Sequence, residues 1–107
     1  MRAARVDSNH AQVVQWYRDL GCAVANTKGV GLGVPDLFVG CLGVTDPVEV
    51  KATNGQLRPS QENFIKCWRG SPVRIVRTQD DVIEHVADMR RRGRLLVPMI
   101  RGLEHDK

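Results

Sequence analysis

Two neighbouring stretches decide the fold, Val34-Pro35-Asp36-Leu37-Phe38-Val39 and, after a short turn, Val48-Glu49-Val50-Lys51. Each predicts a short apolar strand, yet charged residues interrupt both. Because side chains alternate between the faces of a strand, Glu49 and Lys51 point one way while Val48 and Val50 point the other way. If the two strands form a hairpin, Asp36 joins the two charged side chains. The three charged groups therefore form a candidate site on one face of a sheet.

The composition is that of an ordinary globular protein. Of its 107 residues, 42% are hydrophobic and 26% are charged. This length suits a single domain over residues 1–107, with a core at about 6–90 and a tail at 91–107. The sequence shows neither an apolar run long enough to cross a membrane nor a secretion signal, so we expect a cytoplasmic location. The net charge of +4 is compatible with a polyanionic partner such as DNA.

The three cysteines argue against two common kinds of site. They are odd in number and widely spaced, without a Cys-x-x-Cys pair, at Cys22, Cys41 and Cys67. Such spacing favours neither a disulfide framework nor a zinc site. Buried thiols are the expected outcome.

A glycine-rich loop precedes the first charged residue. Its glycines match neither Gly-x-Gly-x-x-Gly nor a Gly-Lys-Ser/Thr ending, so no nucleotide cofactor is expected. Gly31 and Gly33 are predicted instead to let the backbone approach a DNA strand beside Asp36, with Lys28 contacting a phosphate. A plain mobile loop is the alternative.

The order of predicted elements is α-β-β-β-α-β-α, a mixed α/β sheet with helices packed on it. Caps, breakers and apolar periodicity set the boundaries. The elements are a helix at about Ser8 to Leu20, a strand at 22–25, a loop at 26–33, a strand at Leu37 to Gly40, a turn at Leu42 to Asp46, a strand at Pro47 to Ala52, a helix from Pro59 to before Gly70, a strand at Val73 to Arg77, and a helix from Thr78 to Arg90-Arg91-Arg92-Gly93. Beyond it, Leu95 to Ile100 is predicted as a further strand or a docked tail, and Arg101 to Lys107 as a frayed end.

Histidines and aromatic residues are predicted to be structural. The histidines share no ligand-like spacing and are interpreted as surface or helix residues; they are His10, His85 and His105. The aromatic side chains sit at helical spacing and are predicted to be core rather than platforms for bases; they are Trp16, Tyr17, Phe64 and Trp68. The arginine run 90–94 has two interpretations, a solvated helix end or a surface that tracks DNA.

The acidic pair indicates a metal site. Two carboxylates held close together on a half-buried face repel each other unless a cation or a proton compensates. Asp36, Glu49, the backbone carbonyl of Val50 and water would form a hard oxygen site suited to Mg²⁺ or Mn²⁺. Such an ion activates water and neutralises a phosphodiester, while Lys51 orients the nucleophile or stabilises the transition state. The chemistry indicated is phosphodiester hydrolysis.

Each part of this pattern also has an ordinary structural explanation. Glu-x-Lys on a strand is often a solvated ion pair, and Pro-Asp is a common start of a turn. The combination is more specific, because Gly-x-Pro-Asp leads into an apolar strand and a second apolar strand then carries Glu-x-Lys. The combination favours a functional site.

With these motifs the chain resembles the PD-(D/E)xK nuclease superfamily, and within it the stand-alone phage nucleases of the VRR-NUC and Holliday-junction-resolvase-like kind. The resemblance covers about Val6 to Val86 and implies a restriction-endonuclease-like core, α-β-β-β-α-β. The residues that carry it are Gly33-x-Pro35-Asp36-Leu37, Glu49-Val50-Lys51, and Leu57-x-Pro59-x-Gln61 followed by Phe64.

The resemblance implies a role for each matched residue. Asp36 and Glu49 would bind the metal, Lys51 would be catalytic, and Gln61 would support the site from its helix. Gln61 is also the third residue of a capping box, but Arg58 in the cap position cannot accept a backbone N–H, and Ser60 could cap instead. Arg58 is predicted to contact DNA.

The resemblance also implies an acid on the first helix, which this chain lacks. The comparable stretch Asn9-His10-Ala11-Gln12 offers Gln12 and His10 in its place.

Taken together, the site and the resemblance predict a metal-dependent DNA endonuclease selective for Holliday junctions or flaps, phage or prophage encoded and acting as a homodimer. A restriction-like nuclease that cuts duplex DNA and a non-catalytic DNA-binding module on the same fold are the alternatives.

Overall fold

The computed structural model describes residues 9–105, and its description of side chains extends to residue 96. The predicted helix start at Ser8, and the cap candidates before Asn9, lie outside the described residues. The elements in chain order are α1 (His10–Asp19), β1 (Ala23–Asn26), a 3-10 turn (Lys28–Val30), β2 (Leu37–Cys41), β3 (Val44–Val50), α2 (Pro59–Cys67), β4 (Arg74–Val76) and α3 (Gln79–His105). The predicted order is confirmed.

The four strands form one mixed sheet in the order β1-β2-β3-β4. β1, β2 and β3 are antiparallel neighbours, and β4 pairs parallel to β3. The parallel pairing needs a crossover, which α2 supplies between β3 and β4. The architecture is compatible with a restriction-endonuclease-like core.

The main core lies on one face of the sheet, beneath α1 and α3. Alternation along the strands sends one set of side chains to this face, and the same set is fully or almost fully buried: Leu37 and Val39 from β2, Val48 and Val50 from β3, and Val76 from β4. Val13 and Tyr17 of α1, with Val82, Val86 and Met89 of α3, complete it. α2 covers the opposite face, where Phe38, Pro47 and Glu49 point.

The hairpin between β2 and β3 is tighter than predicted. The turn consists of Leu42 and Gly43, both with positive φ (51° and 83°), as a two-residue type I′ connection requires. The predicted turn at Leu42 to Asp46 and strand at Pro47 to Ala52 are therefore wrong at their boundaries. Because β3 begins at Val44, Asp46 belongs to the strand and is buried.

The last helix continues past its predicted end. α3 runs to His105, so the predicted strand at Leu95 to Ile100 is wrong, and the backbone to His105 is helical where a frayed end was expected. Gly93 lies within the helix and does not end it. Its missing side chain lets Leu42 pack there, since a Cβ would lie 2.5 Å from that of Leu42. The Arg92 side chain is not simply solvated at a helix end, as one interpretation of the run 90–94 expected, since its guanidinium pairs with Asp46.

A buried polar chain links three elements on the core face. The ring of His85 lies between the Tyr17 hydroxyl and the Asp46 carboxylate, with 2.7 Å to each. Burial alone would raise the pKa of Asp46, but hydrogen bonds from Arg92 and His85 outweigh it and hold that pKa at about 2. Burial lowers the pKa of His85. The histidine was expected on a helix or at the surface; it is on a helix and fully buried.

Two other predicted core residues lie at the surface. Cys67 is exposed, whereas Cys22 is buried and Cys41 is half-buried. Trp68 is 38% exposed because α2 ends at Cys67, so the indole falls outside the helical stripe that predicted its burial. Among the residues that the structure describes, no helix is both long and apolar enough to cross a membrane.

Candidate active site

Strand pairing brings Asp36 beside Glu49. The register pairs Leu37 with Val48, and one step further it sets Asp36 opposite Glu49 on the α2 face. Asp36 Oδ2 accepts a hydrogen bond of 3.0 Å from the backbone N–H of Val50. Thr27 fixes the approach to β2, donating its N–H to the Asp36 carbonyl (2.8 Å) and its hydroxyl to the Pro35 carbonyl (2.6 Å). The aspartate is therefore held at the mouth of the strand by its neighbours.

Glu49 is the centre of the site. Its Oε2 atom accepts a hydrogen bond of 2.7 Å from Gln61 Nε2, and Lys51 Nζ lies 3.6 Å from the same oxygen. All three residues are at least nine-tenths buried. The structure thus brings together the four predicted side chains, Asp36, Glu49, Lys51 and Gln61.

The Gln61 amide makes the contact of a capping box and also contacts the predicted site. Its Oε1 atom accepts a hydrogen bond of 2.8 Å from the backbone N–H of Arg58, as the third residue of a capping box does. Its Nε2 atom donates to Glu49. The reciprocal half of the box is missing because an arginine side chain offers no acceptor. The amide is therefore fixed at one end by the helix start and aims the other at the carboxylate.

The electrostatics of the site favour a cation. Burial, and after it the nearby Asp36 carboxylate, raise the pKa of Glu49, the Lys51 ammonium opposes both, and the net value is about 7. A carboxyl group in this state gains from any positive charge placed next to it. The Lys51 ammonium alone does not offset the effects of burial and of Asp36 on the pKa of Glu49.

The donor set fits a hard divalent ion. Within residues 9–96 no three His, Cys, Asp or Glu side chains cluster in a way that could hold a metal. The candidate ligands are instead two carboxylates, Asp36 and Glu49, with the backbone of Val50, which lines the same cleft. Oxygen donors completed by water are what Mg²⁺ and Mn²⁺ accept. The residues present therefore fit the ion predicted from the sequence.

These residues line an open cleft of about 290 Å³. Two of the predicted DNA contacts, Lys28 and Arg58, lie in its wall. Gly31 and Gly33 are not among the lining residues as the structure describes them. Gly33 has φ +79° and lies against α2, where a Cβ would collide with the carbonyl of Ser60. The close approach at Gly33 is thus an approach to protein, and a DNA contact by either glycine stays a prediction.

The backbone that follows Lys51 is held by residues that sequence reasoning missed. Arg77 donates from one guanidinium nitrogen to the carbonyls of Ala52 (2.8 Å) and Gly55 (2.7 Å). Asn9, the N-cap residue of α1, donates from Nδ2 to the Lys51 carbonyl at 3.0 Å. Arg77 directly follows β4, so knowledge of the parallel pairing with β3 would have placed it beside this segment.

The first helix adds no described side chain to the cleft wall. Gln12 is exposed, and His10 is half-buried with a buried Nε2 atom that has no hydrogen-bond partner among the described residues. Neither lines the cleft in the part of the chain that the structure describes. A second metal site on α1 has no support from this geometry.

Comparison with known proteins gives one finding. The family model described as the VRR-NUC domain matches residues 2–80. These residues include every side chain of the cleft described above. The search of curated proteins and the search of solved structures each found no match.

Proposed function

Because this chain belongs to the VRR-NUC family, whose members are nucleases with the restriction-endonuclease-like fold, we propose that it is a metal-dependent DNA endonuclease. The observation that carries the proposal is the convergence of two acids, a lysine and a glutamine in one cleft. Glu49 is the strongest evidence for a metal, since burial and Asp36 raise its pKa. A divalent ion beside it would offset both the desolvation of its carboxylate and the repulsion from Asp36.

Each side chain has a chemical task in this proposal. Asp36, Glu49 and the Val50 carbonyl hold Mg²⁺ or Mn²⁺, which when bound activates water and neutralises charge on the phosphodiester. Lys51 orients the nucleophile or stabilises charge that develops on the phosphate. Gln61 keeps Glu49 in position, because it is itself fixed by the Arg58 backbone.

DNA is the proposed substrate. Lys28 and Arg58 stand in the cleft wall, where cationic side chains can contact phosphates on either side of the scissile bond. The net charge of +4 favours the same partner. We propose a branched substrate, a Holliday junction or flap, cut by a homodimer, because one chain carries one site and a junction needs two cuts. From the resemblance to phage nucleases, we propose that the DNA cleavage takes place in the cytoplasm of a bacterial host.

Cleavage assays on three substrates test the proposal. A four-way junction, a flap and a plain duplex are incubated with Mg²⁺, with Mn²⁺ or with EDTA. We expect cleavage with either metal and none with EDTA, and paired symmetric nicks if a dimer resolves the junction. Equal cutting of the plain duplex would favour the restriction-like alternative.

A matched pair of lysine variants separates chemistry from charge. Lys51→Ala is expected to lose about 10²- to 10³-fold in rate, as the loss of a transition-state contact does. Lys66→Ala removes the same charge from the exposed surface of α2 and should retain activity. Activity unchanged by Lys51→Ala would contradict the proposed role of this lysine. No cleavage of any substrate with either metal would leave the non-catalytic DNA-binding module as the better account.

A further inference from the structure

An apolar groove lies on the same side of the sheet as the catalytic cleft. Its volume is about 240 Å³, and its lining consists of Leu32, Asn63, Phe64, Cys67 and Trp68. The lining combines a loop residue with one side of α2 and the residue that follows it. A surface pocket of apolar and aromatic side chains with one amide is suited to a flat, partly polar ligand.

Trp68 gives the groove a fixed aromatic wall. The ring stacks on Phe64 at 5.2 Å with an interplanar angle of 19°, and Phe38 meets it edge-on at 6.4 Å. Trp68 Nε1 donates a 2.8 Å hydrogen bond to the Ser71 carbonyl. The polar atom is satisfied while 38% of the residue remains exposed. The indole is thus held in place with part of its surface open to a ligand.

Leu32 faces this wall from the glycine-rich loop. It is 90% exposed and has φ +59°, a conformation that a leucine seldom adopts. The loop keeps this arrangement because Gly33 fits against Ser60 and the Val34 N–H donates to the Gly31 carbonyl at 3.1 Å. Backbone strain combined with an exposed apolar side chain is typical of a functional position.

The groove and the cleft share their supports. The loop that carries Leu32 carries Lys28 at its other end, in the cleft wall. On α2, Gln61 faces the cleft and Cys67 faces the groove, about 9 Å apart along the helix axis at 1.5 Å per residue. That separation corresponds to two or three base steps of about 3.4 Å. A strand that runs along α2 with a phosphate in the cleft would place the base two or three steps away at the groove.

We propose that the groove receives an unpaired nucleobase of the DNA strand held in the cleft, stacked on Trp68 and covered by Leu32. This inference rests on the proposed function and deepens it, since it assigns unpaired bases near the cut as the preferred feature of the substrate. A base has the flat apolar face that an aromatic wall accepts and the polar edge that Asn63 can address. Continuity with the cleft favours DNA over a second copy of the chain as the occupant.

Tryptophan fluorescence in EDTA tests the groove without any cleavage. The probes are an oligothymidine and an abasic oligonucleotide of the same length and charge. We expect the oligothymidine to quench Trp68 and the abasic strand to leave it unchanged. In Trp68→Phe the quenching should vanish, because Trp16 lies on α1 across the sheet. Leu32→Ala, at an exposed position, should weaken oligothymidine binding about tenfold.

Other outcomes overturn the inference. Equal quenching by both strands would show a phosphate contact, and no quenching would show that the base does not reach Trp68. A change in Trp68 emission that follows dimerisation without DNA would assign the groove to a second copy. Cleavage with Mg²⁺ without quenching of Trp68 contradicts the proposed role of the groove and leaves the nuclease proposal intact. Quenching as expected but no cleavage with any metal contradicts the nuclease proposal alone.

Discussion

Glu49 and Gln61 come from a strand and a helix on either side of the loop that follows Lys51, and their side chains share a buried hydrogen bond of 2.7 Å. The glutamine amide is fixed from behind by the Arg58 N–H. The orientation of the Gln61 amide is therefore fixed independently of its contact with Glu49. We therefore expect Gln61 to act as a positioning residue for Glu49, the proposed metal ligand.

Replacing Gln61 should weaken the site without unfolding the protein. We expect Gln61→Ala to lower metal affinity and cleavage rate by about 10- to 100-fold, as loss of a partner that orients a metal ligand does. Calorimetric titration with Mn²⁺ measures the affinity directly. Gln15→Ala, on the exposed side of α1, is the matched control. Equal effects in both variants would refute the assigned role.

The stability of the metal-free protein should depend on pH through Glu49. Its folded pKa of about 7 lies above the ordinary value of 4.5, so the proton stabilises the fold. This contribution is complete below pH 4.5 and is lost as the pH rises through 7, up to about 3 kcal/mol. Urea denaturation in EDTA at pH 5 and pH 8 measures it, and Glu49→Gln should flatten the difference.

Magnesium should reverse that dependence. A divalent ion binds only the ionised form of Glu49. Below pH 7 protons therefore compete with the ion for this carboxylate, and the stabilisation of the fold by the ion decreases. We expect Mg²⁺ to raise the melting temperature more at pH 8 than at pH 6. The exposed Glu62→Gln should behave like the wild type, whereas Glu49→Gln should lose most of the magnesium effect. A Mg²⁺ effect independent of pH would contradict the role of Glu49 as ligand.

Arg77 should matter to activity although it lies outside the cleft. It donates to the Ala52 and Gly55 carbonyls and so shapes the wall after Lys51. We expect Arg77→Ala to lower the unfolding free energy by about 1 kcal/mol, because the exposed Ala52 carbonyl and the partly buried Gly55 carbonyl lose a charged donor. The cleavage rate at saturating DNA should fall too. Arg18→Ala on exposed α1 provides the control, and an unchanged rate in Arg77→Ala would show that the wall does not need this arginine.

Gly33 should tolerate no side chain. Its φ of +79° and its contact with the Ser60 carbonyl both oppose a Cβ. We expect Gly33→Ala to reduce the unfolding free energy by at least about 2 kcal/mol. Gly29→Ala, where the described structure leaves open space and φ is ordinary, should change it little. Thermal unfolding of the two variants makes the comparison, and similar melting temperatures would contradict the packing argument.

The convergence of the site residues could be predicted because it depends on local rules. Alternation along a strand fixes the faces of Glu49 and Lys51, and a hairpin between neighbouring strands adds Asp36. The same alternation placed Val48 and Val50 on the other face, which is the core face. Their catalytic and metal-binding roles remain predictions that the experiments above address.

What could not be predicted depends on distant partners. Asp46 and His85 are far apart in sequence, and no local pattern announces a buried hydrogen bond between them. Arg77 serves the cleft only because β4 returns parallel to β3. α3 continues past Gly93 because Leu42 needs the space that a glycine leaves. Each miss follows from a tertiary contact that overrides a local signal.

The two acids of β3 divide the strand into a permanent charge and an adjustable one. Asp46, with a pKa of about 2, stays ionised well below neutral pH, whereas Glu49 gains its proton near pH 7. Mild acidification therefore protonates Glu49 on the α2 face while Asp46 on the core face keeps its charge. In the proposed nuclease, the same strand would release its metal ion on one side while the ion pair between Asp46 and Arg92 persists on the other.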